Sequence, residues 1–279
     1  MKRILCVAIA LLTYFGGSVA AQDDLSQYPP DIRRIKERGY LIVAMHSSNF
    51  RPYMFEDPDN PGELIGHEID LARDVADGLG VDLVLDRQAG SFNEVPRRVA
   101  DREADVAISL LSRTLARAQF VRFTQPYLIV RPTIAIHRIN SSVFSVDLND
   151  PVASLNRTAE TVAEPAGNAY VNIARNIFPG VELLELENWS AVYEAVLNRE
   201  VTFALRSEVG VANFLFENQD QRINLQTIPL DEPRFADPLA MAVHPDDVHL
   251  LHWLNVFIED VHGTITGQEL LDQYAEYYE

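Results

Sequence analysis

Short apolar runs alternate with stretches of helical periodicity along most of the chain. Tyr40–Met45 is continuous and apolar, which predicts a buried strand. From His67 to Leu79 the apolar residues Ile69, Leu71, Ala72, Val75, Ala76 and Leu79 fall on one helical face, and Gly80 follows as a natural stop. Val81–Leu85 and Asp105–Ser109 read as strands, with a short helix over Asn93–Ala100 between them. Thr114 is placed to cap a helical turn at Leu115–Ala118, and Thr133–His137 is a further strand. The pattern then recurs. Strands are predicted at Thr161–Glu164, Val181–Leu186 and Val201–Leu205, each followed by a helix: Gly167 to about Asn176, Ser190–Leu197 and Ser207–Phe216. A late strand at Leu239–Val243 and two helices, about Pro245–Val261 and Gln268–Tyr277, close the chain.

Strand, helix, strand, helix, strand thus occurs twice, which predicts an α/β protein of two lobes with mainly parallel sheets. Ligands of open α/β sheets bind beyond the carboxyl ends of the strands, so two facing lobes imply one site in the cleft between them. The first 21 residues stand apart. Lys2 and Arg3 precede an apolar run, Ile4–Phe15, and small residues, Gly16–Ala21, follow. This is the pattern of a secretory signal peptide, with cleavage expected after Ala20 or Ala21. The single cysteine, Cys6, lies inside it, so the remainder holds no thiol nucleophile, disulfide or thiolate metal site. The 279 residues carry a formal net charge of −18 and no basic block, which argues against a nucleic-acid partner and against binding to anionic lipid.

No nucleophile elbow, phosphate-binding loop or HExxH motif is present, and nothing calls for a cofactor. His249 and His252, three apart, read as surface or packing residues rather than metal ligands. The paired carboxylates Glu68/Asp70 and Glu185/Glu187 read as structural. The stretch Ser112–Arg117 is different, because it follows a strand and so puts hydroxyls and a guanidinium at a strand's carboxyl end. Arg117 there can grip a carboxylate through two parallel hydrogen bonds. Phe50–Phe55 is an aromatic-rich loop after the first strand, and Phe92 precedes the second helix; both Phe50 and Phe92 can wall a ligand.

In this order the motifs resemble those of bacterial extracellular solute-binding proteins of family 3, the polar amino-acid-binding type, from about Ile32 to Tyr274. Gly66-His-Glu-Ile-Asp-Leu71 is similar to the family's G-F-D-x-D-L helix start, and Thr114–Arg117 with Phe123–Tyr127 to its T-x-x-R and F-S-x-P-Y. Phe50–Tyr53 is similar to aromatic-x-P-F, and Arg102–Asp105 takes the place of G-x-x-D. The resemblance implies a type II periplasmic-binding-protein-like fold, two α/β lobes joined by two hinge strands. One lobe would span 31–135 plus 239–279 and the other 136–238, with hinges near Ile134–Arg138 and Asp231–Leu239.

It also implies site roles. Arg117 would bind a ligand carboxylate, shared by Ser112, with Phe50 and Phe92 as aromatic walls. Gly167, Asn168 and Ala169 match the family's G-T-T turn but lack both threonines. Ser207 stands where the family has the aspartate that pairs with a ligand ammonium, and Glu208 beside it is an alternative if the helix is shifted. Leu110 replaces a small or hydroxyl residue and narrows the pocket. The expected function is capture of a small carboxylate-bearing solute (an amino acid, a derivative or an organic acid) by a monomeric periplasmic receptor that hands it to an ABC importer permease. The alternatives are a sensor-partner or accessory protein with a degenerate cleft, and an enzyme similar to cyclohexadienyl dehydratases with Glu208 or Glu164 as the acid.

Overall fold

A computed structural model describes residues 24–156 and 160–278; the expected signal peptide lies outside the described residues. In chain order the strands are β1 (Tyr40–His46), β2 (Phe55–Glu56), β3 (Leu64–Ile65), β4 (Asp82–Ala89), β5 (Val106–Ala107), β6 (Arg122–Val130), β7 (Pro132–His137), β8 (Thr161–Pro165), β9 (Glu182–Leu186), β10 (Phe203–Ser207), β11 (Leu225–Pro229), β12 (Asp237–Val243) and β13 (Ile265–Thr266). They form a six-stranded sheet, β13-β6-β12-β5-β1-β4, a five-stranded sheet, β11-β7-β10-β8-β9, and the ribbon β2-β3.

Each large sheet is mixed rather than mainly parallel. The βαβαβ units β1-β4-β5 and β8-β9-β10 are parallel, as the repeated pattern predicts. Antiparallel strands complete both sheets: β12 against β5 and β6 in the first, and β7 against β10 and β11 in the second. The strands β6, β11 and β13 were not predicted. In β6, Gln125 and Pro126 interrupt the apolar run, so no strand periodicity survives.

The chain crosses between sheets twice. Arg131 alone separates β6 from β7, and Leu230–Ala236 separates β11 from β12. The lobe boundary expected between 135 and 136 therefore falls inside β7 of the second sheet, and the hinge expected at 134–138 runs from within β7 to the first residue of helix Arg138–Val143. The later crossing overlaps the stretch expected at 231–239. Glu208 holds the first crossing from both sides: its N–H donates to the Arg131 carbonyl at 3.0 Å, and its carboxylate accepts the Arg131 N–H at 2.5 Å. The Arg131 guanidinium also pairs with Asp231 at 2.6 Å, tying the two crossings together.

The helices that follow the strands form where the periodicity predicts them, while helices Pro30–Arg38, Arg138–Val143 and Pro151–Leu155 were not predicted. Helix His67–Leu79 buries all six predicted apolar residues, and Gly80 ends it in the left-handed conformation with its N–H on the Ala76 carbonyl. Trp189–Leu197 is capped by the Asn188 side chain and Gly267–Gln273 by a Thr266/Glu269 capping box. The first lobe's core runs from Ile32 through the C-terminal residues Leu250, Leu254 and Leu270, which returns the chain's end to that lobe.

Gly66 shows how tightly this lobe is built. Its φ is +119°, and a Cβ would sit 2.6 Å from the carbonyl oxygens of both Pro52 and Tyr53. Those carbonyls accept the N–H groups of His67 and Glu68 as the helix begins. Gly66→Ala is expected to cost about 3 kcal/mol, lowering Tm by roughly 6–12 °C in circular-dichroism melting. A melting point within a degree of the parent would refute this account of the turn.

Candidate functional site

The carboxyl ends of β1, β4, β8 and β10 and the segments that follow them face one cavity between the lobes. Phe50, Phe92, Leu110, Ser112 and Arg117 line it from the first lobe, and Asn168, Ala169, Tyr170, Trp189, Arg206 and Ser207 from the second. Its space, open mouth included, is about 630 Å³. Of the nine predicted site residues, eight meet here; Glu208 does not line the cavity. As the first residue of helix Glu208–Glu217, its side chain turns back to Arg131 at the crossing. It is therefore in no position to replace an ammonium partner, and that expectation is corrected.

Arg117 is 4% exposed. Its guanidinium donates to the Ser112 carbonyl at 3.1 Å, to the Phe92 carbonyl at 3.2 Å and to the Asn93 side-chain oxygen at 3.2 Å. All three acceptors are neutral, and among the described residues no carboxylate lies within ion-pair distance. Burial pushes the guanidinium down to about 10, against the favourable field of Asp237. Thr114 fixes the backbone: its hydroxyl accepts the Arg117 N–H at 3.2 Å, the predicted cap, on a single 3₁₀ turn at Arg117–Gln119.

Asp237, at the start of β12, was not predicted. It is 4% exposed and lines the cavity. The Ser112 hydroxyl donates to it at 2.8 Å, so Ser112 joins Arg117 through its carbonyl and Asp237 through its side chain. Desolvation raises the Asp237 carboxyl to about 6, opposed by Ser112 and Arg117. The site thus presents a cation and an anion on either side of one serine. The only sequence signal for Asp237 is a charged residue opening an apolar strand.

Ser207 caps its helix: the hydroxyl accepts the Gly210 N–H at 3.2 Å. Asn168 likewise spends its side-chain oxygen on the Tyr170 N–H at 2.9 Å. His46 packs on the aromatic wall, 5.1 Å from Phe50 and 4.7 Å from Phe92, and the two phenylalanines are 5.2 Å apart. Burial lowers the His46 pKa, disfavouring the charged ring. Across the cleft stands Trp189. Neither His46 nor Trp189 was singled out from the sequence.

Leu110 occupies the left-handed region at φ 47°. It is held there by Glu68, whose Oε1 accepts the Leu110 N–H at 2.7 Å and also the Tyr127 hydroxyl. Glu68 is fully buried, and desolvation raises it to about 7.

Family comparison agrees with this geometry. Residues 41–277 match the model for bacterial extracellular solute-binding proteins, family 3, and the chain belongs to that family. It is 20% identical to the glutamate-binding protein GluB of Corynebacterium efficiens, over 77% of this chain and 72% of that one. It is also 20% identical to the ABC transporter arginine-binding protein 1 of Escherichia coli K12, over 98% and 99% of the two chains. The crystal structure of the ancestral amino-acid-binding protein AncCDT-1, a precursor of cyclohexadienyl dehydratase, superposes with a TM-score of 0.65 at 20% identity, covering 87% of this chain and 98% of that one. The fold is therefore the type II two-lobed architecture. Among the described residues no helix is long and apolar enough to cross a membrane.

The Glu68 environment sets a pH signature. Its folded-state pKa, near 7, lies above the ordinary 4.5. The stability linked to this group is full below pH 4.5 and is lost as pH rises to 7. Glu68→Gln keeps the acceptor without the charge, so its stability relative to the parent should rise by about 3 kcal/mol between pH 4.5 and 7. Paired urea titrations at both pH values measure this; parallel pH profiles would exclude it.

Proposed function

We propose that this protein is an exported receptor that captures a small carboxylate-bearing solute in the cleft and presents it to an ABC importer permease. The observation that carries this is the Arg117 guanidinium, buried in the cavity wall with only neutral acceptors. A buried cation is costly unless paired, and a ligand carboxylate supplies the missing anion through charge-assisted hydrogen bonds. Phe50 and Phe92 on one side and Trp189 on the other enclose the solute's apolar part. Asp237 takes over the role that Ser207 has lost. A carboxylate at Arg117 and an ammonium at Asp237 would flank Ser112 as the two ends of an amino-acid head group do.

The leading segment, with its basic start and apolar run, supports export to the periplasm, and membership of a family of extracellular solute-binding proteins supports the importer partnership. Both acids considered for an enzyme are engaged elsewhere. Glu208 faces the crossing, and Glu164 is buried, accepting the Leu205 N–H at 2.9 Å. We therefore favour binding over catalysis, as a monomer with no cofactor.

A thermal-shift screen of the protein against amino acids, dicarboxylates, keto acids and other carboxylates tests the reading. A solute at one hundred times its Kd should add about 2.7 kcal/mol, or roughly 5–10 °C for a chain of this size. Arg117→Ala, checked for folding by circular dichroism, should weaken the hit about a hundredfold or more. Silence across the panel from folded protein, or an unchanged Kd in the variant, would overturn the proposal.

A further inference from the structure

We infer that the solute carries a second anionic group, received by Arg206 on the second lobe, so that the cleft is built for a small dicarboxylate; this rests on the solute-binding reading above. Arg206 lies at the end of β10, immediately before Ser207 and the helix Glu208–Glu217. Its side chain lies across the first turn of that helix, over Gly210. A Cβ at position 210 would stand 2.3 Å from Arg206 Nε and 2.8 and 2.9 Å from its Cδ and Cγ. The glycine is therefore what lets Arg206 lie where it does.

The guanidinium sits 4.3 Å from the centre of the Trp189 ring and 5.8 Å from that of Tyr193. Cation–π contact holds a guanidinium through ring faces and leaves N–H donors for a ligand oxygen. Among the described residues no carboxylate lies within ion-pair distance of it. Glu164 feels its charge from outside ion-pair distance, and that fully buried carboxyl is raised well above the ordinary range by desolvation and accepts the Leu205 N–H at 2.9 Å.

The charge around the cavity points the same way. The chain as a whole has 41 acidic residues against 23 basic ones. Yet three arginines, Arg51, Arg117 and Arg206, line this cavity with one acid, Asp237. Arg51 is occupied: it donates to the Tyr277 carbonyl and lies over the rings of Phe55 and Phe216. Arg117 and Arg206 remain on opposite walls, one per lobe. One carboxylate satisfies only the first. A solute with a carboxylate at each end satisfies both and links the lobes, which favours the closed arrangement through its differential contacts.

Calorimetric titration tests this with the diacid series malonate to adipate and with L-aspartate and L-glutamate. Each is paired with the monoamide that keeps its shape but loses one charge. The diacids should bind roughly ten to a hundred times more tightly than their monoamides, the range of a charge-assisted hydrogen bond. In Arg206→Gln that ratio should fall to near unity while monoamide binding stays within about threefold. Gly210→Ala, which displaces Arg206 without altering charge, should do the same. Tighter binding of L-glutamate than glutarate assigns an amino-acid head group to the site; the reverse assigns a simple diacid. A parental ratio near unity, or a ratio undiminished in Arg206→Gln, would overturn the second subsite. Binding of monocarboxylates alone would also overturn it while leaving the receptor reading intact. Absence of binding by any carboxylate would instead overturn the receptor reading.

Discussion

A guanidinium taken out of water without an ion-pair partner constrains the whole cleft. Ser112, Phe92 and Asn93 turn oxygens toward Arg117, and the field of Asp237 opposes the desolvation of its guanidinium. Each of those groups depends on a different part of the fold. Ser112 follows β5 and pairs as an isolated bridge with Leu239 of β12, while Phe92 and Asn93 precede the helix Glu94–Ala100. Asp237 arrives from the second crossing. The antiparallel return of β12 beside β5 is thus what converts a lone arginine into a charged site with two ends.

The two crossings are coupled by side chains of the same kind. Arg131 is held by its backbone to Glu208 and by its guanidinium to Asp231, so a helix of the second lobe and both connecting segments share one residue. The C-terminal segment adds a contact between the lobes. Tyr278 and Arg51 both lie against Phe216 of the helix Glu208–Glu217, and Gly267 leaves room for the Glu208 carboxylate. Glu208 therefore belongs to the articulation of the molecule, one residue from a cavity it does not enter. A helix advances by about 100° per residue, so adjacent positions at its start serve different surfaces.

Much of the first-lobe wall was legible. Arg117, Ser112, Phe50 and Phe92 follow strand ends or precede helices, and a strand's carboxyl end is where a parallel unit exposes side chains to ligand. The motif departures were legible too, and the backbone explains two of them. Arg102, in the place of a family glycine, adopts φ 64°, and Leu110 adopts φ 47° with its N–H on Glu68. Both positions adopt left-handed geometry without glycine, the residue that adopts it most easily. The second-lobe chemistry was less legible. Arg206 and Trp189 were given no role, Trp189 standing just before the predicted helix Ser190–Leu197, and Asp237 fell in the stretch expected as a hinge.

Hydrophobic periodicity is local, and so the sequence by itself determined most of the longer helices, the strands of both parallel units and their twofold recurrence, and it placed Arg117 after a strand's carboxyl end. Strand pairing and charge pairing are not local. Only the tertiary structure decided that β12 runs antiparallel between β5 and β6 in the first sheet and β7 antiparallel between β10 and β11 in the second, that the first crossing is a single residue at Arg131, and that the Ser112 hydroxyl meets Asp237 of β12. The burial that shifts the Arg117 and Asp237 charges belongs to that packed arrangement, because desolvation depends on every atom brought around a group and on no stretch of sequence alone.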